Sequence, residues 1–221
     1  MLTEAERAGL RLRSRPPITG KLLQREFFNR DPREVSRELL GKLIVRTVRE
    51  KKLVGRIVEV EAYLGEGDLA AHAAAGQTKR NAVLFGPPGH AYVYFIYGVH
   101  YCLNISCLPD GDAGCLLIRA LEPVSGIEEM MKARRLNDLE LISRHDFRKL
   151  TSGPGRLCEA LGITRERDNG KDMVSAASDL QVTDDGFEAG EIVVTARIGI
   201  TKAAEKPLRY VIAGNEFVSR G

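Results

Sequence analysis

A chain of 221 residues, 43% hydrophobic and 29% charged, is long enough to bury a sizeable core and has the composition of a globular protein, not of a disordered or fibrous one. A formal net charge of +3 and a pI near 8.7 permit a polyanionic partner without requiring one. The cysteines Cys102, Cys107, Cys115 and Cys158 form no C-x-x-C pair, which argues against a zinc ribbon or a thioredoxin-like site, and their apolar neighbours suit buried, reduced thiols.

The stretch MLTEAERAGLRLRSRPP (1–17) is basic and ends at Pro16-Pro17. It reads as a flexible arm, with Thr3 and Glu6 able to cap a short helix, ahead of one domain over 18–221. It has no continuous apolar run of the secretory type, and no later segment reaches membrane-spanning length, so a soluble cytoplasmic protein without a signal peptide is expected. DPREVSRELLG predicts a helix with Asp31 as N-cap, Pro32 as first helical residue, Glu34 as reciprocal cap and Gly41 as stop. KLIVRTV (42–48) and LVGRIVEVEAYL (53–64) predict a β-hairpin. Residues 65–90 are Gly- and Ala-rich and weakly patterned, and a long irregular stretch of that kind is often functional. AYVYFIY, YCLNISCL and GCLLIRALEP predict three more strands, the first two joined through Gly98.

Ser125 and Glu128 form a capping-box pattern before the helix GIEEMMKARR. Residues 136–150 read as helical, SGPGRLCEALGI (152–163) as a turn entering a short helix, and IVVTARIGI (192–200) and RYVIAG (209–214) as strands. The sum is an α+β fold, a single mixed domain with a curved antiparallel sheet core and surrounding helices.

In RIVEVEAYL, alternation places Val58, Val60, Ala62 and Leu64 on the core side and Ile57, Glu59, Glu61 and Tyr63 on the other. The two acids stand roughly 6.6 Å apart along the strand at about 3.3 Å per residue. A solvated strand face accounts for that spacing. So does a sugar glycosidase using Glu59 and Glu61, although a sugar groove calls for tryptophan and the chain has none. Four of the six tyrosines, Tyr92, Tyr94, Tyr97 and Tyr101, fall within residues 90–106. Tyr is at home in half-buried strands, but Tyr97 stands directly before the turn at Gly98-Val99, where a ring projects as a wedge suited to filling the gap left by an extruded base.

The segments VEVEAYLGEGDLAAHA, TKRNAVLFGPPGHAYVYFIYGVHYCLNI, CLLIRALEP and SGPGRLCEALGI, with ARIGI and PLRYVIAGNEFVSR near the C-terminus, resemble the alkyladenine (3-methyladenine) DNA glycosylase family in its bacterial branch. The resemblance covers roughly residues 20–220. It implies a formyltransferase C-terminal-domain-like fold and a monofunctional glycosylase. Such an enzyme flips 3-methyladenine, 7-methylguanine, hypoxanthine or ethenoadenine out of double-stranded DNA and hydrolyses the N-glycosidic bond. It would act as a monomer, with no cofactor, metal or membrane. An alternative is a non-catalytic nucleic-acid-binding domain of the formyltransferase C-terminal type.

Carried over residue by residue, the resemblance implies that Glu61 is the general base and that Arg119 helps hold the nucleophilic water and keeps Glu61 ionised. Tyr63 and Tyr94 would stack on the flipped base and His72 would line the pocket. Asn104 would obstruct the 2-amino group of guanine at the pocket floor, the Ala70 carbonyl would accept from a purine, and Tyr97 would be the wedge. Thr78, Arg80, Arg156 and Arg197, with amides near Gly153, would contact the DNA backbone. His100 and Leu208 depart from the residues common in relatives.

Overall fold

The structure is a computed structural model describing residues 20–96, 98–136 and 143–219; the arm over 1–17 and the wedge Tyr97 lie outside the described residues. Nine strands form one sheet. They are β1 (Lys21–Leu22), β2 (Leu43–Val48), β3 (Lys51–Tyr63), β4 (Ala91–Ile96), β5 (His100–Cys107), β6 (Gly114–Ser125), β7 (Leu180–Asp184), β8 (Ile192–Thr195) and β9 (Arg209–Ile212). The order is β1-β7-β2-β3-β6-β5-β4, with β9 also on β3 and β8 on β9, and all these pairs are antiparallel. Helices α1 (Arg25–Phe28), α2 (Pro32–Leu39), α3 (Ile127–Ala133), α4 (Arg144–Arg148), α5 (Pro154–Ala160) and α6 (Arg165–Asp168), with a 3₁₀ turn at Ala82–Phe85, complete the described elements of an α+β architecture.

Helix α2 starts as its sequence dictates. The Asp31 carboxylate accepts from the Arg33 N–H at 2.8 Å and Pro32 opens the helix, while Val35 and Leu39 turn inward with no exposed surface. Helix α3 departs from expectation. Strand β6 continues through Ser125, and Gly126, at φ +71°, turns the chain into the helix with no side-chain cap, so Ser125 and Glu128 form no capping box. Strand β7, in the polar run DLQVTDD, carried no strand signal; it gains its conformation by pairing with β1 and β2 on either side.

Strand β3 is shared. Its first half pairs with β2 and its second half with β9 on one edge, while β6 runs along the other. Between Ile57 and Glu59 two steps on β3 oppose one on β6, and between Glu59 and Val60 one step opposes two. Val58 and Arg119 are therefore the extra residues of two compensating bulges, a device that re-aims side chains. The bulge corrects the simple alternation. Ile57 lies in the main core beside Val58, while Glu59 and Glu61 keep the opposite face.

The main core lies on the face carrying Val60, Ala62, Val93, Leu103, Ile105, Leu116 and Ile118, covered by Val35 and Leu39 of α2, Met130 of α3 and Leu157 of α5. A smaller cluster on the other face, Ala73, Leu84, Tyr92, Ala113 and Cys115, anchors the irregular stretch after β3. All four cysteines are buried free thiols. Among the described residues, no helix is long and apolar enough to cross a membrane.

The turn leaving β3 depends on one glycine. Gly65 has φ +81°, and a Cβ there would sit 1.5 Å from the Ala113 carbonyl oxygen. Gly65→Ala is therefore expected to lower unfolding free energy by about 2–4 kcal/mol, above the strain of a left-handed non-glycine residue alone. Urea denaturation checks this, and an unchanged midpoint would show that the turn can move away.

Candidate active site

The site is built on the face of the sheet opposite the main core, from alternate residues of four neighbouring strands. The register aligns Tyr92 with Asn104, Asn104 with Leu117, and Leu117 with Glu61. At about 4.8 Å per strand, this row spans roughly 14 Å. Tyr94 stands opposite Cys102, and Tyr63 opposite Cys115. The resulting cavity, of about 330 Å³, is lined by Tyr63, Tyr92, Tyr94, Asn104 and Arg119 from the sheet, Ala70 and His72 from the stretch after β3, and Ile198, Gly199 and Ile200 from the connection after β8.

Both glutamates of β3 are fully buried, so neither occupies a solvated face. Their surroundings differ. Glu59 accepts from Arg119 Nε at 3.0 Å, Arg209 Nε at 2.6 Å, the Ser219 N–H at 2.6 Å and Ser219 Oγ at 2.9 Å. Its oxygens are spent on holding β9 and the C-terminal segment, which removes it as the second acid of a sugar glycosidase. Glu61 lies behind the cavity wall. Its Oε1 accepts from the Ile198 N–H at 2.8 Å and pairs with Arg119 Nη1 at 3.1 Å, and its Oε2 accepts from the Tyr63 hydroxyl at 3.0 Å. Each carboxylate oxygen can accept two hydrogen bonds, so among the described residues Oε2 has one partner and one lone pair to spare.

Burial pushes the Glu61 carboxyl above its ordinary value of 4.5, against the pull of Arg119, the Ile198 N–H and the Tyr63 hydroxyl, and Glu59 adds to the push. Arg119 thus acts in the expected direction, but desolvation outweighs it. Burial disfavours the Arg119 cation too, yet Glu61 and Glu59 together hold its pKa above the ordinary arginine value. Burial, with the Glu61 carboxylate at its hydroxyl, raises Tyr63 far above an ordinary phenol, so Tyr63 remains a donor.

The cavity's aromatic wall is Tyr94, Tyr92 and His72. The His72 and Tyr94 centroids are 4.4 Å apart at 68°, and His72 Nδ1 lies 2.9 Å from the Tyr92 hydroxyl. Desolvation and the nearby Arg80 lower the His72 pKa, favouring the neutral imidazole. Asn104 is buried at the floor, its amide donating to the Tyr92 carbonyl at 3.1 Å. Burial lifts the Cys102 and Cys115 thiols to about 11 and about 12, so both stay protonated.

The residues expected at the DNA backbone are not alike. Thr78 and Arg80 are exposed, and the Arg80 guanidinium lies 5.9 Å from the Tyr94 centroid at the edge of the cavity. Arg156 is exposed on α5 and borders a second groove shared with His100, Arg134, Arg148 and Lys149, which meets the cavity at Arg119 and Pro154. Arg197 is interior, paired with Asp68, which is no place for a phosphate contact. The Gly153 amide is already taken by the Arg119 carbonyl at 3.0 Å. His100 packs on α5, where a Cβ on Gly155 would come within 2.9 Å of its ring, and Leu208 is core.

Sequence reasoning missed three contributors. Ile198 acts through its backbone N–H, which no side-chain pattern reveals. Asn81, 2% exposed, donates to the His72 and Gly76 carbonyls at 2.9 and 3.0 Å and holds the loop that carries His72. Asp68 is one of two acids, with Glu66, in a glycine-rich stretch, and nothing in the local pattern marked it. Among the described residues no His, Cys, Asp and Glu side chains converge as a metal site, and no lysine lines the cavity.

Residues 26–216 match the family described as Methylpurine-DNA glycosylase (MPG). A protein of Koribacter versatilis, provisionally named 3-methyladenine DNA glycosylase, is 64% identical over 197 residues, 89% of this chain and 92% of its own length. Proteins with the same provisional name from Alkaliphilus oremlandii and Methanoculleus marisnigri are each 46% identical, over 90% and 88% of this chain and 98% and 96% of their own.

The two glutamates should respond oppositely to amidation. Glu59→Gln presents an NH₂ to donors and unpairs buried cations, so a loss of about 3–5 kcal/mol is expected. For Glu61 the folded pKa is raised, so its ionised form disfavours folding above pH 4.5 and the penalty fades as pH falls to that value. Glu61→Gln should therefore melt no lower than the parent at neutral pH, with the difference vanishing in acid. Thermal denaturation at both pH values checks the pair, and a Glu61→Gln protein that melts well below the parent at neutral pH would contradict the assignment.

Proposed function

We propose a base-excision mechanism for this chain, which belongs to the methylpurine-DNA glycosylase family and is a monofunctional DNA glycosylase of DNA repair. In this reading its substrates are alkylated or deaminated purines in double-stranded DNA, 3-methyladenine, 7-methylguanine, hypoxanthine and ethenoadenine among them, and it works as a monomer. The observation that carries the reading is the buried Glu61 carboxylate, with one lone pair unused, directly behind a cavity walled by aromatic rings. A volume of about 330 Å³ sits at the low end of small-molecule pockets, near 300–1,000 Å³, and fits one flipped base better than an oligosaccharide.

The damaged nucleotide rotates out of the stack, at a lower cost when it is modified or mispaired. Tyr63 and Tyr94 stack on the base, and their electron-rich faces favour a purine made cationic by alkylation. The neutral His72, with Tyr92 donating to its Nδ1, offers its Nε2–H as a hydrogen-bond donor. The Ala70 carbonyl accepts from the purine edge. The Asn104 floor crowds the 2-amino group of normal guanine and leaves that amine unpaired. Tyr97 takes the place of the extruded base. Thr78, Arg80 and Arg156 meet phosphates, so binding weakens as salt rises.

In the chemical step the bond from the base nitrogen to C1′ breaks and its electron pair leaves with the base, which departs neutral when alkylation has made it cationic and takes up a proton from water when it starts neutral. The developing positive charge on the sugar faces the Glu61 carboxylate. A water on the free lone pair of Oε2 adds through oxygen to C1′, and its proton passes to Glu61, leaving an abasic site. Arg119 stays positive throughout and holds Oε1. No Schiff base forms in this scheme, so the DNA strand stays intact. A non-catalytic nucleic-acid-binding domain has no use for a desolvated carboxylate that disfavours folding.

The test is release of free base from duplexes carrying hypoxanthine or 3-methyladenine. The wild-type protein should release the base without cutting the strand. Glu61→Gln should retain DNA binding and lose about 10³-fold or more in single-turnover rate. The rate should rise with pH through a limb above the ordinary 4.5 of a glutamate, because Glu61 must be ionised to accept the proton. Equal activity of wild type and Glu61→Gln would remove Glu61 from the chemistry.

A further inference from the structure

Arg197 and Asp68 form a bidentate ion pair with no exposed side-chain surface on either partner, Nη1 to Oδ2 at 2.6 Å and Nη2 to Oδ1 at 2.8 Å. Four further contacts tie this pair to the site. Arg197 Nη1 donates to the Ala62 carbonyl at 3.0 Å, between Glu61 and Tyr63 in the chain. The guanidinium carbon lies 4.6 Å from the Tyr63 ring centroid. Asp68 accepts from the Leu64 and Ala70 N–H groups at 3.2 and 3.3 Å, fixing the turn that delivers Ala70 to the cavity. The residue after Arg197 is Ile198, whose N–H holds Glu61 Oε1.

We infer that the Asp68–Arg197 ion pair is a positioning device for the reaction, setting both the orientation of the Glu61 carboxylate and the seat of the Tyr63 ring. The inference rests on the base-excision reading above. The physical case is one of geometry. Among the described residues Arg197 Nε is buried with no partner, so the arginine is not placed to satisfy all its donors. It is placed where a planar fork can grip Asp68 while its face backs an aromatic ring, a combination lysine cannot supply. Buried ion pairs contribute little net stability against apolar replacements, whereas a shift of about 1 Å in a catalytic group can cost about 10²-fold in rate. Without the pair, the 197–198 segment and the 64–70 turn lose their common anchor. The Ile198 N–H then moves off Oε1, and one of the groups that pulls the Glu61 pKa down is lost.

The experiment compares Asp68→Asn, Arg197→Met and Arg197→Lys with wild type in single-turnover release of hypoxanthine from duplex DNA at saturating protein, across pH. A duplex with a tetrahydrofuran abasic analogue reports affinity. The expected result is a rate lower by about 10²-fold in all three, an acid limb displaced to higher pH, and analogue affinity within about threefold of wild type. Arg197→Lys keeps the charge and stays slow because it lacks the fork. Rates near wild type with an unmoved limb would overturn the inference. So would a loss confined to analogue affinity, which would return Arg197 to DNA binding. If Arg197→Met fails to fold, Asp68→Asn and Arg197→Lys, closest in volume to the parent residues, decide by the same readouts. Glu61→Gln run alongside separates the two levels. Full activity in Glu61→Gln sinks the base-excision reading, whereas a silent Glu61→Gln with a normal Asp68→Asn sinks only the positioning role.

Discussion

The site is organised around the Arg119 guanidinium, which lies between two fully buried carboxylates, 3.0 Å from Glu59 and 3.1 Å from Glu61. One cation cannot neutralise two acids in a low-dielectric interior, so the surroundings must supply the rest. They do so unequally. Glu59 takes Arg209 from β9 and Ser219 from the C-terminal segment, and with them becomes the joint between the sheet and its last strand. Among the described residues Glu61 takes only a backbone N–H and a phenol besides Arg119, and so has both a raised pKa and a lone pair without a partner. Acids two residues apart on one strand thereby acquire opposite roles.

That division is made beside an irregular part of the sheet. Paired bulges at Val58 and Arg119 add one residue to each strand next to the two acids and restore the register beyond, and Arg119 reaches both carboxylates from there. The splitting of β3 between β2 and β9 contributes to that division. It brings the connection after β8, with Arg197 and Ile198, over the end of β3 that carries Glu61 and Tyr63.

The irregular stretch after β3 illustrates how a segment with little apolar pattern is held in a functional conformation. It has few side chains to bury, and polar staples replace them. Asn81 closes the loop carrying His72, Asp68 closes the turn carrying Ala70, and Gly65 lets the chain pass against Ala113. A loop held by hydrogen bonds and one ion pair is specified in position more than in free energy. The desolvated Glu61 is the counterpart, a carboxylate whose ionised form is held at some cost to folding.

Much of this was legible in the amino-acid sequence. Period-two alternation put Glu59, Glu61 and Tyr63 on one face of β3, and the sequence gathered four tyrosines into residues 90–106. Asp31-Pro32 marked the start of α2, and the motifs of a family singled out Glu61 and Arg119. Alternation, however, states only which residues share a face, and it is silent on what covers that face. The partners that separate Glu59 from Glu61 lie 160 and 137 residues away, at Ser219 and Ile198, and the partner that draws Arg197 inward lies 129 residues away at Asp68. Local pattern marked the strands of the hairpins and the face of the two acids because that information is carried by neighbours in the chain, but not β7 or the place of Ile57, which depend on pairing with distant strands. Which acid is saturated with partners, which is left with fewer and which arginine is buried was decided only when distant segments packed, because those properties belong to a desolvated environment and not to a residue type.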